Sequence, residues 1–149
     1  MAKFDDRNGK EYGLALSATL SGTTKAEGDW IDMQGFESLT FTVSAGTITD
    51  AGTSAGFSFQ VEEGDDTTDA GAAAVADANL IGTEAALTVT ADDADDTFIG
   101  TIAYNGDSRF VRLTAVGTTG TDAYVVAHAI KGYAAAGGDA TIDTGTAAT

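Results

Sequence analysis

From Leu14 onward the chain alternates apolar and polar side chains with a period of two, the signature of strands with one buried face. Leu14, Leu16, Ala18 and Leu20 alternate with Ala15, Ser17 and Thr19, and a polar loop from Ser21 to Gly28 ends the segment. Trp30, Ile31 and Met33 form a short apolar patch, after which Leu39, Phe41 and Val43 alternate with Thr40, Thr42 and Ser44. Phe57, Phe59 and Val61 repeat the pattern against Ser58, Gln60 and Glu62, so the two segments are expected to form an antiparallel pair.

Residues 63–79 read as a surface loop with one short helical turn, and Leu80, Ile81, Ala86, Leu87 and Val89 as a further strand. The strongest long-range pattern follows: 98–104, 109–116 and 123–133, separated by Asn105-Gly106-Asp107 and by Gly117 to Gly120. These turn formers predict a three-stranded meander.

About seven short strands with turns between them imply an all-β domain over residues 13–133, an antiparallel β-sandwich or jelly-roll-like barrel. Residues 1–12 are polar and charged and read as a flexible arm. Residues 134–149 are Ala, Gly, Thr and Asp around a lone Ile142 and read as a flexible tail, with too little apolar surface to offset the entropy of ordering.

Composition narrows the function classes. The 149 residues hold 23 acidic and 7 basic side chains, a formal charge of −16, which opposes binding to nucleic acid or to an anionic membrane. No run of 18 apolar residues and no basic-then-apolar leader occurs, so neither a membrane span nor a signal peptide is expected. Cysteine is absent, which removes disulfides and thiolate metal sites.

Candidate chemistry is sparse. The single histidine, His128, lies in the strand pattern Tyr124, Val126, His128, Ile130 and is read as a half-buried strand residue, not as a base beside a nucleophile. Catalytic zinc needs three nitrogen or sulfur ligands, more than one histidine supplies. The clusters Asp65, Asp66, Asp69 and Asp92, Asp93, Asp95, Asp96 have the oxygen chemistry calcium prefers, but neither follows the EF-hand pattern, and both read as solvated loops. No cofactor, metal or catalytic residue is expected. Arg109, Arg112 and Lys131, with His128, fall on the last two predicted strands, where cross-strand neighbours are expected to gather them into a basic patch that docks on an acidic partner. Lys3, Phe4 and Arg7 in the arm are further candidates for that interface.

Certain words along the chain are more specific. Trp30-Ile-Asp-Met-Gln-Gly-Phe-Glu-Ser-Leu-Thr-Phe41, Asn79-Leu-Ile-Gly-Thr-Glu84, Ser108-Arg-Phe-Val-Arg-Leu-Thr114 and Ala123-Tyr-Val-Val-Ala-His-Ala-Ile-Lys-Gly132 resemble a family of small virion proteins of tailed bacteriophages. The resemblance covers residues 12–133. It implies a capsid decoration or cement protein on the outer surface of the head, bound to the major capsid protein and self-associated, as a homotrimer in many relatives. A head-tail connector or tail component is the alternative within the class. A carbohydrate-binding module, with Trp30, Tyr104, Tyr124 and Tyr133 as its aromatic platform, is the alternative outside it.

Overall fold

The computed structural model describes residues 9–134, and the side chains of Tyr133 and Ala134 are not among what it describes. Lys3, Phe4, Arg7 and the tail from residue 135 onward therefore lie outside the described residues.

Among the described residues ten strands follow one another: β1 (Lys10–Ser21), β2 (Ala26–Glu27), β3 (Ile31–Asp32), β4 (Phe36–Asp50), β5 (Ser58–Gly64), β6 (Ala73–Ala74), β7 (Leu80–Ile81), β8 (Phe98–Tyr104), β9 (Phe110–Val116) and β10 (Asp122–Ala134). One sheet has the order β1-β10-β4-β8-β7; the other runs β2-β9-β5-β6, with β3 also on β9. Every pairing is antiparallel, and both sheets keep free edges, so the architecture is an open sandwich and not a closed barrel. Residues 10–12, expected in the arm, extend β1.

The alternation at Leu39, Phe41 and Val43 does what the sequence requires: all three are buried, in one core with Phe59, Val61, Val111 and Leu113 of the other sheet and with Phe57 just before β5. Phe57 and Phe59 meet edge to face with ring centres 6.1 Å apart. In β1 the period breaks. A bulge between Leu14 and Leu16 turns both Ala15 and Leu16 inward and leaves Leu14 half exposed on the outer side. The Ala15 carbonyl accepts a hydrogen bond from the Asp29 backbone N–H at 2.9 Å. The chain approaches so closely there that a β-carbon on Gly28 would lie 2.3 Å from that carbonyl oxygen.

Three expected pairings are corrected. β4 and β5 do not pair; they lie in opposite sheets. The last three strands are not a meander, because β8 pairs with β4 and β7, β9 with β5 and β2, and β10 with β1 and β4. The chain crosses between sheets at each connection. The strand expected over 80–89 is β7 followed by a 3-10 turn, Glu84–Leu87, in which the Thr83 side chain accepts from the Ala86 N–H, and by a lone bridge between Val89 and Phe57. Two further 3-10 turns, Asp69–Gly71 and Asp77–Asn79, lie in the segment read as a loop.

Candidate functional site

The basic residues do not form the expected cross-strand patch, since β9 and β10 belong to different sheets. Arg109 and Lys131 are brought together by a third residue. β3 lays Asp32 beside Phe110 at the start of β9. There Arg109 donates from Nε to Asp32 Oδ1 at 3.0 Å and from Nη2 to Oδ2 at 2.9 Å, the two-pronged geometry that suits guanidinium and carboxylate. Its Nη2 also donates to Gln34 Oε1 at 2.8 Å, and the guanidinium lies 4.9 Å from the centre of the Phe110 ring. From the other sheet Lys131 donates to the Asp32 carbonyl at 3.1 Å, pairs with Glu11 at 2.9 Å and covers the Phe36 ring at 4.4 Å. The hydrogen bond from Arg109 holds the Asp32 carboxyl below its ordinary range.

Arg112 is somewhere else altogether. It is 3% exposed, stacked 4.5 Å from the centre of the Trp30 ring. It donates to Glu62 at 2.8 Å, Asp69 at 2.7 Å and Glu27 at 3.1 Å. Lys25 completes the cluster with a 2.5 Å contact to Glu62 and a 3.4 Å contact to Glu27. Burial pushes the Glu62 carboxyl up, but the hydrogen bonds from Lys25 and Arg112 outweigh it and leave the group below the ordinary glutamate value. Burial likewise works against the Arg112 charge, and the bonds to Glu62 and Asp69 more than restore it. Arg112 is thereby committed within the sandwich, clasping β9 to β5 and to the segments that carry Trp30 and Asp69.

Both acidic clusters are occupied in part with backbone. Asp95 accepts from the Ile48 N–H at 2.5 Å and Asp92 from the Ala51 N–H at 2.7 Å, tying the loop to the end of β4. Asp66 accepts from the Thr68 N–H and hydroxyl. Among the described residues no group of three or more His, Asp or Glu side chains is placed to hold a metal ion.

Beside Arg109 opens a cleft of about 630 Å³ whose walls include Met33, Phe36, Tyr104 and Ser108. Tyr104 is buried against it, donating to Glu63 at 2.5 Å and accepting from the Ser108 N–H at 2.9 Å; burial and then Glu63 push its phenol up. Among the described side chains the expected aromatic platform is not assembled: Trp30 covers Arg112, Tyr104 is in the core, and Tyr124 is on the outer face of the first sheet, while the Tyr133 side chain lies outside what is described.

That outer face is the feature sequence reasoning missed. On β10 the inward residues are Ala123, Val125, Ala127 and Ala129, while Tyr124, Val126, His128 and Ile130 point away from the core. His128 is accordingly exposed, between Leu14 and Thr42, and not half-buried. One row across the sheet reads Tyr12, Ile130, Thr40, Ala103, Ile81; the next Leu14, His128, Thr42, Thr101; the next Ser17, Val126, Ser44, Phe98. Tyr12, Leu14, Ile81, Phe98 and Tyr124 are 55%, 50%, 65%, 64% and 42% exposed. The Tyr124 ring lies over Gly46, where a β-carbon would come within 2.9 Å of it, and its hydroxyl meets Ser17 Oγ at 2.6 Å. None of these rows contains a carboxylate.

No protein-family model matches the chain, and no curated protein matches it. Among solved structures the chain is similar to the SPBc2 prophage-derived protein YomS, at 15% identity over 82% of this chain and 93% of that one, with a TM-score of 0.38.

Proposed function

We propose that this is a bacteriophage capsid decoration protein, a non-catalytic cement that binds the outer surface of the head, contacts the major capsid protein and associates with its own copies. The observation that carries the reading is a contrast of surfaces: a chain of charge −16 keeps three successive rows of one sheet face, from that of Tyr12 to that of Phe98, free of carboxylates and sets exposed aromatic and aliphatic side chains among them. Contiguous exposed apolar surface of this kind marks a contact with another macromolecule. The acidic remainder suits a place outside the shell, away from packaged DNA.

A second observation supports a docking end. Lys10 pairs with Gly132, so the start of β1 and the end of β10 lie together, beside Lys131, Asp32 and Arg109. Many weak contacts repeated over a lattice add up through multivalency, so no single deep site is needed.

The test is to incubate purified protein with phage heads that lack it and to image them by cryo-electron microscopy. Regular external density at capsid symmetry positions is expected. Density confined to one vertex or to the tail would replace this reading by a connector or tail component.

A further inference from the structure

We infer that the outer face of the β1-β10-β4-β8-β7 sheet is a homotypic interface, by which two copies of this chain pack face to face about a two-fold axis. The inference deepens the self-association proposed above, rests on the same sheet face, and leaves contact with the head to the end of the sandwich that holds Arg109 and Lys131.

β10 carries the first argument. It is the second strand of its sheet, paired on both sides, and it turns alanine and valine toward the core while tyrosine, valine, histidine and isoleucine face outward. A slip of one residue would exchange the two sets, so the register is one that assigns the bulkier side chains to a second buried surface. Strands buried on both faces lose the simple apolar-in, polar-out alternation, as this one has.

Charge selects the occupant. Copies of a chain with formal charge −16 repel one another wherever their acidic surfaces meet, and like charges placed together across an interface cost several kcal/mol. On this face the rows between Tyr12 and Phe98 carry no carboxylate, which lets a second copy approach without that penalty. The pattern is also self-complementary. An isologous contact needs the same patch to match itself, and here the rows on either side of His128 both set apolar side chains (Ile130, Ala103 and Ile81; Val126 and Phe98) among hydroxyls (Thr40; Ser17 and Ser44) and carry no charge. With the axis along that row, Ile130 of one copy meets Val126 of the other, Phe98 meets the small Ala103, and Leu14 meets its own counterpart. Sheets stacked in this way lie about 10 Å apart with strands crossing near −30°. Four strands over the length from Tyr12 to Thr19 cover on the order of 500 Å² per copy by strand spacing and rise, or about 1,000 Å² for two copies, the threshold at which a biological interface begins.

The experiment measures mass in solution by sedimentation for the full chain and for Leu14→Glu and Leu14→Lys, at a half-exposed position where folding is not at stake and is checked by circular dichroism. Wild type is expected at twice the 15.0 kDa chain mass, each variant at the single-chain mass, and an equimolar mixture of the two variants back at the double mass. A wild type that stays monomeric at high micromolar concentration, a mass of three chains, a Leu14→Glu variant that remains paired, or folded variants that fail to pair when mixed would each overturn it. Monomeric protein that still decorates heads would remove this interface and leave the docking proposal standing.

Discussion

Arg112 and Glu62 stand opposite each other in the β5–β9 ladder, Nε 2.8 Å from Oε2, with both side chains almost wholly shielded from water. A buried pair of this kind is costly to break from one side, because the remaining Glu62 charge keeps only Lys25 and almost no water. Arg112→Ala is expected to lower the unfolding free energy by about 3–5 kcal/mol. Arg112→Met combined with Glu62→Leu is expected to lose less than Arg112→Met alone, since no orphaned carboxylate is left. Urea unfolding of the four proteins checks both statements.

The same cluster sets an acid limit. The folded Glu62 carboxyl titrates below its ordinary value of 4.5, and Asp32 below 3.8. Groups depressed in the folded state contribute stability that is complete above the unfolded value and is lost as pH falls through the folded one. The thermal midpoint is therefore expected to hold steady toward pH 5 and to fall below the ordinary carboxylate range. A pH series of midpoints for wild type and Glu62→Gln checks this: the variant should lose less across the acid interval, and parallel curves would assign the loss to other carboxylates.

How far the sequence can be read depends on which physical scale a feature obeys. Leu39, Phe41 and Val43 are legible because the period of two is local, and all three are in the core. Leu14 is misleading because a bulge one residue later shifts the period, and Asp29, whose N–H donates to the Ala15 carbonyl there, lies beyond a loop. Asn105 and Gly106 announce that a strand ends but not which sheet receives the next one, so the crossing from β8 to β9 looks like a hairpin. Arg112 looks like a surface cation because the ring that covers it, Trp30, is far away in sequence. The outer face was legible in principle: Tyr124, Val126 and Ile130 share a parity with His128 and alternate with a column of mostly alanine. Hydrophobicity alone assigns that parity to the core, the wrong side.

Gly56 tests the packing of the loop against the sandwich. It has φ +67°, and a β-carbon there would lie within bonding distance of the Val89 carbonyl oxygen, beside the bridge of Phe57 to Val89. Both the left-handed backbone and the missing space demand glycine. Gly56→Ala is expected to cost more than about 3 kcal/mol, well beyond the strain of the dihedral alone, because the Val89 segment has to move. Thermal unfolding reads the loss, and an unchanged midpoint would mean that this segment detaches freely.

Arg109 and Arg112 should separate cleanly, although the sequence places them three residues apart. Arg109 is half exposed against a half-exposed Asp32, and exposed pairs are worth at most about 1 kcal/mol, so Arg109→Ala should leave stability nearly unchanged. Its value in the proposed function is as a half-exposed cation near Lys131, at the end of the sandwich where the start of β1 meets the end of β10. Arg109→Glu with Lys131→Glu is expected to weaken binding to heads at least tenfold while the mass of the free protein stays that of wild type. Co-sedimentation with heads measures the first and sedimentation velocity the second. Unaltered binding by the doubly substituted protein would move the docking surface away from this end of the sandwich.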